Sequence, residues 1–285
     1  IDKRMGGASN LEDFIRKAHF VDYEGTRAMV EAHRVNVPRS TGIIQWMLNS
    51  AWPSLYWQMY DWYMVPTSAY WSVKKGCTPQ QLIYNYGNNK VYAVNDEKAD
   101  ASLNASMTVY GLDGTVIGES STSVNMPMGC SFEVFEVPAV DQVGFVFLTL
   151  ADASGNVVAR NEYVLAEVMD KHDWKKYRWW RTQVESYADF SALNALTAAE
   201  VAVSLAEVDG GIEVTLTNNS PVVAFFIRMA LKDASGEYVV PATWNDNLVS
   251  LAPGQSLTYK CTAEVPAGAT LTVDGWNVAK STLAL

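Results

Sequence analysis

Gly42-Ile-Ile-Gln-Trp-Met-Leu-Asn-Ser-Ala-Trp-Pro-Ser-Leu-Tyr-Trp-Gln-Met-Tyr-Asp-Trp-Tyr63, continued to Trp71, holds five of the chain's ten tryptophans: Trp46, Trp52, Trp57, Trp62 and Trp71. Tyr56, Tyr60, Tyr63 and Tyr70 lie among them. Ordinary cores take most of their apolar volume from Leu, Ile and Val, so this density has two readings. One is a crowded aromatic core. The other is a platform whose flat faces and polar handles suit the C–H and O–H surfaces of a sugar ring. The opening run, Ile43 to Leu48, is short, apolar and bounded by turn signals, which fits a fully buried parallel strand.

Working outward, residues 9–34 read as one amphipathic helix. Ser9 and Glu12 have capping-box spacing, and Leu11, Phe14, Ile15, Ala18, Val21, Ala28, Met29 and Ala32 recur near helical period. A polar break from Asn36 to Thr41 follows, and a second helix is expected from Ser68 to Gly76. Helix, buried strand, long loop and helix make an α/β unit. One such unit cannot close a sheet, so taken alone it is a fragment.

From about Gln80 the apolar period switches to two. Leu82–Tyr86, Lys90–Val94, Ser106–Tyr110, Phe132–Val137 and Phe145–Leu150 are separated by turn clusters such as Leu112-Asp-Gly and Asp152-Ala-Ser-Gly. This spacing implies an antiparallel sandwich over residues 79–168. A basic, aromatic connector at 169–197 precedes a second strand series and a second sandwich at 198–285. The turn Asp152-Ala-Ser-Gly recurs as Asp233-Ala-Ser-Gly, a weak repeat that shared turn chemistry explains as well as duplication.

The chain has 285 residues, 49% of them hydrophobic and 18% charged, which suits a folded multidomain protein. A net charge of −10 argues against a polyanionic partner. The one basic stretch, Lys171 to Arg181, is too short to make a nucleic-acid surface. No apolar run spans a bilayer, so no membrane partner is expected. Cys77, Cys130 and Cys261 are odd in number and lack ligand spacing, and His19, His33 and His172 form no metal set. Neither a cofactor nor a metal is expected. The chain opens Ile1-Asp-Lys-Arg, without an initiator Met or a signal peptide.

Nucleophile elbows, phosphate loops and dinucleotide fingerprints are absent. Glycoside hydrolysis needs two carboxyls facing one bond. Asp61 is the single acid within residues 42–71, with Glu24 and Glu31 on the preceding helix, so no catalytic pair is assigned. Asp61 either carries a functional charge or anchors the loop by accepting backbone N–H groups. Trp244 and Trp276 either fill the last sandwich or give it sugar contacts of its own.

Longer stretches carry a resemblance. Arg4-Met-Gly-Gly-Ala-Ser-Asn-Leu-Glu-Asp-Phe, Tyr23-Glu-Gly-Thr-Arg-Ala, Glu31-Ala-His-Arg and Ser40-Thr-Gly-Ile-Ile-Gln-Trp through Trp57 closely resemble glycoside hydrolase family 2. Ala69-Tyr-Trp-Ser-Val-Lys-Lys-Gly, Tyr187-Ala-Asp-Phe-Ser-Ala-Leu-Asn and Trp244-Asn-Asp-Asn-Leu-Val-Ser-Leu-Ala-Pro-Gly continue the match. Within that family they are most similar to the exo-β-D-glucosaminidase branch, with β-mannosidases and endo-β-mannosidases as near relatives.

The resemblance implies the fold and the site. Residues 1–78 would be the end of a (β/α)₈ barrel: helix 7, strand 8 and helix 8. Two Ig-like β-sandwiches would follow, so the fold class is an α/β remnant plus all-β. The family's acid/base and nucleophile follow barrel strands four and seven, upstream of Ile1, and this chain by itself is expected to be inactive. Trp46, at the carboxyl end of strand 8, would floor the subsite of the cleaved sugar, as barrel sites form at that face. Asn49, Trp52 and Trp57 would be its walls. Tyr56, where a relative has His, and the turn Val65-Pro66-Thr67 depart from the family pattern and leave the exact sugar open. The implied partners are an oligosaccharide of β-linked glucosamine or mannose and the rest of a parent enzyme, in a bacterial periplasmic or secreted setting. A large apolar face at residues 10–76 is expected, to be covered by a partner chain, a dimer or crystal contacts.

Overall fold

Helices begin where the sequence supplies caps. In the computed structural model, which describes residues 1–54 and 57–285, a short helix α1 (Asp2–Met5) precedes a long one, α2 (Leu11–Val35). Tyr56, singled out above, lies outside the described residues with Leu55. The cap of α2 falls on Asn10 and not on Ser9. Asn10 accepts from the Asp13 N–H at 2.9 Å, while the Asp13 carboxylate accepts from the Ser9 N–H at 2.9 Å. Asn is a strong N-cap, and an acid three residues on reaches back over the first turn. Burial pushes the Asp13 carboxyl up, but hydrogen bonds from Ser9, Lys17 and Arg16 outweigh it and hold the group well below the usual carboxylate range.

Helix α3 (Ser68–Gly76) has the expected bounds. The expected strand before it is absent: Ile43 to Leu48 forms no strand and is largely exposed, with Ile44 89% exposed. A parallel strand exists only through hydrogen bonds to neighbouring strands. Among the described residues before Gln80 there is no other strand to supply them.

In the period-two region five of seven strands fall on the stretches read above, and those at Val116–Met126 and Val157–Ala166 do not. Strands β1 (Gln80–Asn85), β2 (Lys90–Asn95), β3 (Ala101–Gly111), β4 (Val116–Met126), β5 (Cys130–Glu136), β6 (Val143–Ala151) and β7 (Val157–Ala166) form two antiparallel sheets, β1-β2-β5 and β4-β3-β6-β7. Leu82, Tyr84 and Val91 from one sheet and Met107, Val109, Leu148 and Leu150 from the other share one core. β4 was missed in the sequence because Gly118-Glu-Ser-Ser-Thr-Ser has no apolar alternation. It is an edge strand, paired only with β3 and mostly exposed on both faces.

The connector is more ordered than read. β8 (Lys171–Arg178) and β9 (Arg181–Ser186) make a two-stranded hairpin, followed by a 3₁₀ turn at Ser191–Ala195. Then come β10 (Val201–Val208), β11 (Gly211–Asn218), β12 (Ala224–Lys232), β13 (Thr243–Trp244), β14 (Val249–Leu251), β15 (Ser256–Thr262), β16 (Thr270–Asp274) and β17 (Ser281–Ala284). They form sheets β10-β11-β15-β13 and β14-β12-β16-β17. Trp244 and Trp276 are buried, Trp276 with its ring 5.6 Å from that of Phe225 on β12. Gly211 is obligatory: at φ 156° a Cβ there would stand 2.0 Å from the Cys261 carbonyl oxygen.

The repeated turn is one local geometry used twice. Asp152 Oδ1 accepts from the N–H groups of Ser154 and Asn156, and Asp233 Oδ1 from those of Ser235 and Glu237. Turn chemistry accounts for both.

The chain divides into two compact units: Ile1–Val21, Glu31–Thr41 and Thr78–Leu196, and Asp22–Val30, Gly42–Cys77 and Thr197–Leu285. In the first unit the last turns of α2 bring buried charge to the sandwich. Glu31 accepts from Asn161 Nδ2 and from the Tyr163 hydroxyl, each at 2.8 Å. Tyr163 in turn accepts from the Tyr84 N–H at 3.1 Å. Arg34 donates to Asp96, Gln81 and the Pro79 carbonyl, each at 2.8 Å. Tyr163→Phe removes the hydroxyl from this buried group and is expected to cost about 2 kcal/mol, read as a lower urea midpoint at unchanged slope.

Candidate functional site

The aromatic stretch lies in the second unit, between the middle of α2 and α3. Its far end is fixed first. Asp22 on α2 accepts from Ser68 Oγ at 2.7 Å, where α3 begins and Thr67 provides no side-chain cap. Burial pushes the Asp22 carboxyl up, against the lowering effect of hydrogen bonds from Ser68, Ala69 and Thr26. At the other end of α3, Lys75 pairs with Asp246 at 3.0 Å and Lys74 donates to the Trp244 carbonyl at 2.7 Å. Tyr23 of α2 meets Phe226 edge-on, with centroids 5.5 Å apart.

Backbone outside helices and sheets must find other partners, and this loop finds them across itself. Its two limbs meet at a parallel bridge between Asn49 and Tyr60, with the Tyr60 N–H on the Leu48 carbonyl at 3.0 Å. Higher on the limbs, the Trp57 indole N–H donates to the Trp46 carbonyl at 2.5 Å, and Gln45 Nε2 donates to the Trp57 carbonyl at 3.2 Å. Lower down, Asp61 Oδ1 accepts from the N–H groups of Tyr63 and Val65 at 2.8 and 2.9 Å. Asp61 is therefore the loop anchor of the two readings above. Thr67 Oγ1 closes the base on the Gln58 carbonyl at 2.6 Å.

These bonds hold a face that is apolar and open. Trp46 is 75% exposed and Trp52 68%, with Trp57, Trp62 and Tyr63 also exposed. The dense-core reading fails for these five residues and holds for Trp71, which is buried. Asn49 is exposed on the limb that carries Trp46, and its Nδ2 donates to the Ser50 carbonyl at 3.3 Å. Trp46, Asn49 and Trp57 thus share one pair of limbs, while Trp52 stands on the segment beyond them. Within the second unit Met29, Ile43, Ile44, Leu48 and Met64 are exposed too, and in the first unit Leu11 and Phe14.

Such a face can stack on a flat ligand and offers no acid pair. No group of three or more metal-ligating side chains occurs among the described residues. No described helix is long and apolar enough to cross a membrane. In the first unit, the hairpin β8–β9 presents Trp174, Tyr177, Trp179 and Trp180, all exposed, beside Lys175, Lys176 and Arg178. The sequence marks that stretch by composition alone, with no periodicity to reveal its strands.

Comparison with known proteins bears on both units. Residues 87–170 match the family model of a mannosidase Ig/CBM-like domain, and residues 179–278 that of an exo-beta-D-glucosaminidase Ig-fold domain. An exo-beta-D-glucosaminidase of Hypocrea virens is 35% identical over 301 residues, covering 99% of this chain and 34% of the relative. The crystal structure of the exo-chitosanase CsxA of Amycolatopsis orientalis superposes with a TM-score of 0.92 at 33% identity, over 100% of this chain and 36% of that one. A beta-D-mannosidase from Dictyoglomus thermophilum shares the fold, with a TM-score of 0.73 at 18% identity over 97% of this chain and 31% of that one. The chain spans about a third of the length of the curated relatives it matches.

Two tests address the loop and its anchor. Asp61→Ala is expected to speed amide exchange at Tyr63 and Val65 about tenfold, with global stability changed by less than about 1 kcal/mol. The raised Asp22 makes its ionised form the costly one, so its contribution is present at low pH and is lost as pH rises through its titration. Asp22→Asn keeps an acceptor for Ser68 and Ala69. It is expected to raise Tm at about pH 7 and leave it unchanged at about pH 3, where Asp22 is protonated.

Proposed function

The chain corresponds along its whole length to the C-terminal portion of exo-β-D-glucosaminidases, and we propose that it serves as that portion of a retaining glycoside hydrolase. The substrate would be a chitosan oligosaccharide, from whose non-reducing end β-linked D-glucosamine is released. Residues 1–78 are the last helix–loop–helix segment of a (β/α)₈ barrel, and residues 79–168 and 198–285 are Ig-like sandwiches that brace it, joined by the connector at 169–197. The setting is periplasmic or secreted.

One observation carries the reading: Trp46 offers an indole 75% exposed on a loop whose backbone is tied across itself. Fixed aromatic faces suit the C–H surface of a pyranose. Asn49, Trp52 and Trp57 form the sides of the same subsite. The exposed run Ile43 to Leu48 supports the barrel assignment, since an exposed apolar stretch suits a strand whose neighbours lie elsewhere in a parent enzyme. Asp61, the single acid of the loop, has Oδ1 engaged by backbone N–H groups, so the acid/base and nucleophile come from other parts of that enzyme. This chain by itself is inactive. The family match at residues 87–170 favours a β-mannoside as the second reading.

Indole resonances in a ¹H–¹⁵N spectrum test this. Chitosan oligomers at about 10 mM are expected to shift the Trp46 signal more than manno-oligomers do, as befits a weak one-sided contact. Trp46→Ala should abolish the response elsewhere in the loop. A response confined to Trp174, Trp179 or Trp180, or none at all, overturns the assignment.

A further inference from the structure

Trp57 stands among the candidate pocket residues, yet the atom that gives indole its polar reach is already committed. Its N–H meets the Trp46 carbonyl at 2.5 Å, while Gln45, next to Trp46, donates its side-chain amide to the Trp57 carbonyl at 3.2 Å. Two residues on one limb and one on the other are thereby cross-linked by two hydrogen bonds that each skip eleven or more residues of chain. Neither bond is part of a ladder, and the parallel bridge of Asn49 to Tyr60 lies further down the same limbs. We propose that Trp57 is a positioning residue: with Gln45 it clasps the Trp46 peptide and so sets the direction in which the Trp46 ring faces. The functional meaning of the clasp rests on the sugar-floor reading of Trp46.

The physics follows from exposure. Trp46 is 75% and Trp57 45% exposed, so neither ring is held by a surrounding core. An exposed side chain without such support samples several rotamers, and ordering it on binding costs affinity. Fixing the backbone on which Trp46 is mounted restricts the allowed rotamers before a ligand arrives. Because the indole donor of Trp57 is occupied, Trp57 gives a ligand only its ring. A loop carbonyl in contact with water loses little stability when its donor is removed. The clasp therefore acts on orientation and hardly on folding.

The test uses the whole 285-residue chain. In the wild type, exchange of the Trp57 indole N–H is expected to be about tenfold slower than that of Trp52, which is 68% exposed. Trp57→Phe keeps a ring and removes the donor. It is expected to leave Tm within experimental error, to broaden or shift the Trp46 indole signal, and to weaken the Trp46 response to chitosan oligomers severalfold. Gln45→Glu, which removes the second donor, should do the same to a lesser degree. Exchange of Trp57 as fast as that of Trp52, or a Trp46 signal unchanged in both variants, overturns the clasp. A Trp46 response to sugar that is equal in wild type and Trp57→Phe overturns the clasp while leaving the sugar reading intact. A protected Trp57 with no sugar response anywhere supports the clasp and sinks the sugar reading alone.

Discussion

Buried charge on α2 must be paired, and that requirement organises the structure. Glu31 is 1% exposed, Arg34 5% and Arg27 0%. Unpaired, any of these would cost several kcal/mol. Each instead has named partners: Asn161 and Tyr163 for Glu31, Asp96, Gln81 and the Pro79 carbonyl for Arg34, and Glu24 for Arg27. The partners of Glu31 and Arg34 lie on or beside β1, β2 and β7, so satisfying the charges also fixes where the helix end meets the strands. A hydrophobic contact alone would tolerate sliding; a carboxylate shared by an amide and a phenol does not.

The loop at residues 42–67 obeys a related constraint with a different solution. Its described residues form neither helix nor sheet, so beside a few backbone bonds it uses Trp57, Gln45, Asp61 and Thr67 side chains as donors and acceptors. Those side chains are spent on architecture. The rings of Trp46 and Trp52 and the apolar run from Ile43 remain facing outward, which is the arrangement a second surface can cover. Architecture and binding face thus come from the same short stretch, divided by which atoms are already bonded.

Much of the fold is legible in sequence because its signals are local and periodic. The two helices and most core strands of the first sandwich follow from spacing and turn residues, and Asp152 and Asp233 mark the same turn twice. β4 is not legible, since an edge strand needs no buried face and so writes no alternation. Ile43 to Leu48 misleads in the opposite direction: its composition is that of a buried strand, and burial depends on neighbours. Likewise Asn10, and not Ser9, caps α2, because both residue types are competent and only geometry chooses.

The sequence by itself determines where helices and turns lie, that two β-rich segments follow a helical one, and that residues 42–71 are abnormally aromatic. Its longer motifs also determine the relationship to exo-β-D-glucosaminidases, because specific identities over long stretches do not arise from composition. Only the tertiary structure decides which tryptophans are core and which are surface: Trp71, Trp244 and Trp276 are buried, while Trp46, Trp52 and Trp57 are not. It also assigns Asp61 to holding a turn and Glu31 to an amide and a phenol more than a hundred residues away. The reason is physical. Periodicity reports one element's own faces, whereas burial and pairing are properties of two surfaces that the chain brings together from distant positions.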